Sequence, residues 1–338
     1  MANASGLTTA AVNLRAGPGT QFNRVVALIP KTAVEIIGQQ GDWLQVRVNG
    51  QEGFVHKMLI QLSAAGVSDG FLKEKTAPPP APGQTPPEPP PPGASQDLDN
   101  VPLEAPADQR LPVNPKAPLL DRLSADIWNR FGGLLSVLSA ELKIDPAVAV
   151  AVLAVESGGR GFGPDGRMII RFENQIFYDR WAKPSGNKDR YFQHFQFNPD
   201  KRWLEHKWRS DPNAEWRDCH GNQINEWATF QFAASIDDTA AKSSISMGGP
   251  QIMGFNYAAL GFESVQQMFD AFAASERNQI IGFFDFVQGP TPNSRRVLAM
   301  QQQDFDTFAA MYNGPGQAAK YGGLIRGTVA AFHRLKGN

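Results

Sequence analysis

The pattern of apolar and polar positions changes character along the chain. Up to about residue 62, β-branched and aliphatic residues alternate with polar ones, as in "AVEIIGQQGDWLQVRVNGQEGFVHKMLI" (33–60). Val34 and Ile36 mark one run; Leu44, Val46 and Val48 mark another. A period of two predicts strands with one buried face. "GD" at 41–42 and "NG" at 49–50 punctuate them as hairpins. Several short strands in so short a segment predict a small all-β barrel. From residue 118 the spacing turns helical. "PLLDRLSADIWNRFGGLLSVLSAELKI" predicts a helix broken or kinked near Gly132 and Gly133. "DPAVAVAVLAVESGG" (145–159) predicts a second, with Asp145 as N-cap, Pro146 as first helical residue and Gly158 as its stop. That helix is apolar on nearly every face, so it belongs in the middle of a domain.

Between the two patterns lies "TAPPPAPGQTPPEPPPPGASQ", followed by more spaced prolines. Proline removes donors and fixes φ, which predicts a semi-rigid, extended spacer. The spacer has a mild acidic excess. The expected division is 1–63, a β domain; 64–117, a Pro-rich linker; and 118–338, a mainly helical domain.

Composition adds boundaries. The chain has 338 residues, 42% hydrophobic and 19% charged, ordinary for two soluble domains. A net charge of −1 gives no reason to expect nucleic acid as a partner. The single cysteine, Cys219, excludes an intramolecular disulfide framework. The start, "MANASGLTTAAVNLRAG", lacks the charged lead and apolar core of a signal peptide, and no apolar run approaches ~20 residues. The expectation is a protein made in the cytoplasm without stable membrane association, and a monomer.

The candidate chemistry centres on Glu156, in the last turn of the apolar helix. Desolvation and the negative end of the helix dipole would both raise its pKa. A carboxylic acid protonated near neutral pH is what a glycosidase needs to protonate a leaving oxygen. Taken alone, the segment also reads as a glutamate pointing into water.

Three later stretches change that balance: "GRMIIRFENQIFYDRW" (166–181), a short β-rich run; "SSISMGGPQIMGFN" (243–256), a Ser/Gly-rich entry into a helix start; and "DFDTFAAMYNGPGQAAKYGGLI" (304–325), a helix ending in Tyr312 and Asn313. As an ordered set these resemble the lysozyme-like superfamily, and more closely the N-acetylmuramidase family of modular phage endolysins. "NLRAGPG", the Trp43 spacing and "GFVHKMLI" resemble a bacterial SH3 domain. The resemblance implies a peptidoglycan hydrolase, free of cofactors, that cleaves the β-1,4 bond between N-acetylmuramic acid and N-acetylglucosamine. Its SH3-like domain would bind the cell wall. It would act at the wall after holin release or injection. Glu156 matches the general acid, Gln251 the glutamine at the start of the groove helix, and Tyr312 and Asn313 the pair over the acid. Ser246 and Gly248 fall in the matching loop, and Trp43 is the candidate wall-binding residue. The lysozyme-like domain would be mainly α with a small β-excursion.

Glu173, beside Arg171 in "IIRFENQ", is the candidate second carboxylate, with Asp237 and Asp238 as outsiders. Without a second carboxylate the chemistry would be that of a lytic transglycosylase, and without any chemistry the chain would be a wall-binding protein on a lysozyme scaffold. The stretch 177–232 holds Trp181, Trp203, Trp208, Trp216 and Trp227, read as satellite core or an extended sugar groove. It also holds His194, His206, Cys219 and His220, whose spacing fits no compact metal motif; no metal is expected.

Overall fold

A computed structural model of the chain describes residues 4–8, 12–18, 22, 24–29, 31–41, 43–62, 98–289 and 294–337. The densest part of the Pro-rich tract, with Asp42 of the first hairpin signal, lies outside them. The chain divides into two compact units.

The first unit is all β. Strands β1 (Ala4–Thr8), β2 (Val12–Arg15), β3 (Arg24–Leu28), β4 (Ala33–Gln40), β5 (Trp43–Val48), β6 (Gln51–His56) and β7 (Ile60–Leu62) form one antiparallel sheet in the order β3-β2-β6-β5-β4-β1-β7. Alternation along β4 and β5 sends Val34, Ile36, Leu44, Val46 and Val48 into one core with Leu14 and Val55. The "NG" signal closes β5–β6 as a two-residue turn, with Asn49 at φ 50° and Gly50 at φ 80°.

The second unit is mainly α. Its helices are α1 (Leu119–Leu142), α2 (Pro146–Ser157), α3 (Asn174–Phe177), α4 (Lys188–His194), α5 (Gln223–Ile236), α6 (Asp238–Ser243), α7 (Val265–Ala274), α8 (Glu276–Gln288), α9 (Arg295–Gln301), α10 (Phe305–Tyr312) and α11 (Ala318–Lys336). Two small antiparallel sheets interrupt them: β8 (Ile170–Phe172) with β12 (Ile245–Met247) and β13 (Ile252–Met253), and β9 (Phe195–Gln196) with β10 (Lys207–Trp208) and β11 (Arg217–Asp218). Helix α2 is enclosed by α1 and α11, and Ala147–Ala154 are buried on every face, as its composition predicts. Strand β8 is an edge of its sheet, and side chains of α5 complete it. Gln223 accepts from Ile170 N and donates to Ile170 O, and Glu226 accepts from Phe172 N.

One expectation fails here. Helix α1 runs unbroken through Gly132 and Gly133. These glycines mark a close approach instead of a kink: residues 102–105 cross α1 there. A Cβ on Gly133 would collide with the carbonyl oxygens of Pro102 and Glu104. The crossing also bears on the linker. Part of the segment from 102 to 117, assigned to a spacer on composition, lies on the helical unit. Asn129 accepts from Leu111 N (2.7 Å) and donates to Leu111 O (2.9 Å), while Trp128 Nε1 donates to Gln109 O. Proline spacing alone cannot separate a free tract from one whose backbone groups are satisfied by a helix beside it.

Glycine substitutions in α1 and α11 should therefore have opposite signs. Gly133→Ala is expected to lower stability by about 1–3 kcal/mol through overpacking. Gly323→Ala, where a Cβ meets nothing within 4 Å, is expected to raise it by about 0.5–1 kcal/mol through helix propensity. Chemical denaturation of the two variants checks both.

Candidate active site

Glu156 is positioned by both ends of its helix. At the N-terminus, Asp145 accepts from Ala147 N and its other oxygen meets His333 Nε2 at 2.6 Å, tying α2 to α11. At the C-terminus, Gly158 (φ 64°) stops the helix immediately after Ser157. Glu156 as a whole is half-buried in the last turn. Burial pushes its pKa up to about 7, opposed by the hydrogen bond it accepts from Asn313 Nδ2 at 2.7 Å. Asn313 is also the C-cap of α10. Its Oδ1 is buried with no hydrogen-bond partner among the described residues.

Tyr312 packs its ring against Phe283, Phe286 and Phe308, and its hydroxyl donates to Pro250 O at 2.7 Å. This contact joins the end of α10 to the turn between β12 and β13. The turn is closed internally: Ser246 Oγ donates to Gln251 Oε1, and Gln251 Nε2 donates to Gly248 O, each at 2.8 Å. Gly248 and Gln251 both take positive φ, 67° and 51°. Gln251 therefore does not start a helix, contrary to expectation. It ends a tight hairpin turn, a 3₁₀ segment begins at Gly254, and the next α-helix begins only at Val265. "GGP" between "ISM" and "IM" favours a reversal, because Gly248 supplies the positive φ that a tight turn needs.

Several residues that sequence reading missed hold this arrangement. Gln279, 1% exposed, accepts from Gly249 N and donates to Phe272 O, each at 2.8 Å. Glu276 accepts from Gly161 N and pairs with Arg130 (2.7 Å), which also donates to Gly159 O. Together they pin the glycine turn after Glu156 to α1 and α8. Tyr321 on α11 has its pKa raised by burial and then by the charge of Glu156, with Arg171 opposing, so it lies within electrostatic range of both. None of these partners is marked locally. Each acts across more than a hundred positions or from an unremarkable point in a helix.

Arg171 and Glu173 pair as expected, Nε to Oε1 at 2.9 Å, and Gln175 Nε2 donates to Oε2 at 3.0 Å. Asp237 and Asp238 are committed elsewhere, to the α6 N-cap and to Lys242. Of the tryptophans, Trp181 and Trp208 are core, Trp227 donates to Met168 O, and Trp203 is 61% exposed. Cys219 is buried, its thiol pushed up to about 12 by burial, and it donates to Asn174 Oδ1. His194 lies against Phe232 with Nδ1 on Arg209 O.

Residues 145–333, more than half of the chain, match the family model for N-acetylmuramidase. The chain belongs to the N-acetylmuramidase family. Residues 10–61 match the bacterial SH3 domain. Among solved structures, the crystal structure of Burkholderia AP3 phage endolysin is similar, at 28% identity over 59% of this chain and 70% of that one, with a TM-score of 0.47. No curated protein matches. The muramidase is thus a peptidoglycan hydrolase carrying a wall-binding SH3 module. No described helix is long and apolar enough to cross a membrane. In the SH3 module, Arg15 of "NLRAGPG" is buried and donates to Phe22 O, so it serves the fold. Trp43 sits opposite His56 on β6, ring edge to face at 5.4 Å, and remains half-buried.

The elevated pKa of Glu156 has a consequence for stability. The folded state disfavours its ionised form, so stability is lost as pH rises from the ordinary carboxylate range through 7. Glu156→Gln removes that cost. The muramidase variant is expected to match the wild type near pH 4 and exceed it at pH 8 by up to roughly 3 kcal/mol. Denaturant titrations at the two pH values measure the difference.

Proposed function

We propose that this muramidase cleaves the β-1,4 bond between N-acetylmuramic acid and N-acetylglucosamine, with Glu156 as the general acid. The observation that carries the reading is the state of that one group. Burial at the end of an apolar helix raises the acid's pKa to about 7, so a large share of it keeps its proton near neutral pH, while the residue as a whole stays partly accessible. Asn313 orients the acid through Nδ2. Tyr312, Ser246, Gly248 and Gln251 act as positioning residues. The tyrosine hydroxyl is spent on Pro250 O and the glutamine amide on its own turn, so both shape the backbone beside the sugar.

Glu173 is the proposed second carboxylate. Arg171 and Gln175 each donate to one of its oxygens and fix the orientation of the carboxylate. Trp43 is proposed as a wall contact of the SH3 module, its half-exposed ring offering a face for stacking on sugar or peptide. A wall-binding module joined to a muramidase fits lysis of a bacterial wall, with the enzyme delivered by release or injection.

Glu156→Gln is expected to reduce the release of muropeptides about 10²–10⁴-fold while leaving wall binding intact. The wild-type rate should fall with rising pH above about 7, where the acid loses its proton. Mass spectrometry of the products should find hydrolysed reducing ends. Products lighter by one water would assign a lytic transglycosylase instead, and unchanged release by Glu156→Gln would remove the acid assignment.

A further inference from the structure

Three side chains in the second unit converge without any local motif: Glu173, His206 and His220. One ligand atom from each lies within 4.8 Å of the others. His206 Nδ1 is 2.8 Å from His220 Nε2 and 3.7 Å from Glu173 Oε2. The geometry points to a binding site for a divalent transition-metal ion of the zinc type, with His206 Nδ1, His220 Nε2 and Glu173 Oε2 as ligands.

Three features support it. Zinc takes imidazole nitrogen and carboxylate oxygen at about 2.0–2.2 Å in a tetrahedron, which sets its donors roughly 3.4 Å apart. The separations of 2.8 and 3.7 Å bracket that value, so small side-chain rotations would complete the set. Next, the outward nitrogens already have the partners that metal-bound histidines need. His206 Nε2 meets Arg202 O at 2.8 Å, and His220 Nδ1 meets Glu226 Oε1 at 2.8 Å. Glu226, 4% exposed, is itself held by Phe172 N. A carboxylate or carbonyl behind each imidazole fixes the ring and aims its other nitrogen at the ion. Lastly, exposure is graded: the His206 side chain is sealed at 0%, while Glu173 and His220 keep 16% and 22%, leaving an approach and a fourth position for water or a ligand. Glu173 Oε1 stays with Arg171, while Oε2 accepts from Gln175 Nε2 and keeps a second lone pair for the ion.

The site would fasten the stretch between α4 and α5 to the strand β8 that Glu226 completes. It does not rest on the catalytic reading of Glu156, and it is tested without activity. It is an alternative to Glu173 as second carboxylate, because both of that residue's oxygens would be engaged. The full chain, stripped with chelator, is titrated with Zn²⁺ in competition with a chromophoric indicator, and separately with Co²⁺. One equivalent is expected to bind. Glu226→Gln should weaken binding about 10–100-fold, and His206→Ala or His220→Ala should weaken it at least about 100-fold. Cys219→Ser should bind as the wild type, and the Co²⁺ spectrum should lack a thiolate charge-transfer band. Absence of stoichiometric binding, wild-type affinity in both histidine variants, or a thiolate band would overturn the proposal. Should the histidine variants fail to fold, Glu173→Gln carries the test, with wild-type affinity counting against the site.

Discussion

The catalytic unit is organised around a carboxyl group held where ionisation is costly. An acid at the end of an exposed helix would titrate in the ordinary carboxylate range, and nothing else in the fold would depend on it. Here α2 is buried from Ala147 to Ala154 and packed by α1 and α11, which holds its half-buried last turn, with Glu156, against the unit. Among the described residues, the hydrogen-bond donor to the acid, Asn313, arrives from another helix. Removing a polar group from water is tolerated only when its few partners are placed well. That constraint explains why so many residues are spent on holding turns.

Those residues form a second layer. The glycine turn after Glu156 and the Gly248–Gln251 turn are short, positive-φ segments that would be soft by themselves. Gln279 and Glu276, one helical turn apart on α8, take up their free backbone amides, and Arg130 on α1 closes the set. Tyr312 then locks the second turn to α10. The backbone around the acid is therefore rigid because buried side chains complete its hydrogen bonds, and the site inherits its geometry from α1, α8 and α10 together.

The stretch between β8 and α5 follows the same logic with a different result. Buried Asn174 donates to the backbone of both β9 and β10, and Tyr191 donates to Asn174 O, so a small aromatic core forms around one amide. His206 and His220 are carried by this core to the neighbourhood of Glu173. Fourteen positions separate the two histidines, and thirty-three separate Glu173 from the nearer one.

Much of the architecture was legible in the chain itself. Alternation along β4 and β5, the Asn49-Gly50 turn, and the Asp145, Pro146 and Gly158 signals are local effects of side-chain burial and backbone conformation, so they survive without tertiary context. The pairing of Arg171 with Glu173 was readable for the same reason, being two residues apart on an extended segment. Other features needed the fold. Gly132 and Gly133 read as a break because glycine lowers helix propensity, yet the residues crossing them supply the reason for both. Gln251 read as a helix start because the turn preceding it is held by Ser246 and by Gln279, which lies 28 positions further on. The pKa of Glu156 and the meeting of His206 with His220 are properties of enclosure and distance, and only packing of the whole unit creates those. Local pattern determined which segments would be strand, helix or turn; tertiary structure decided which polar groups would lose water, and hence which of them could do chemistry.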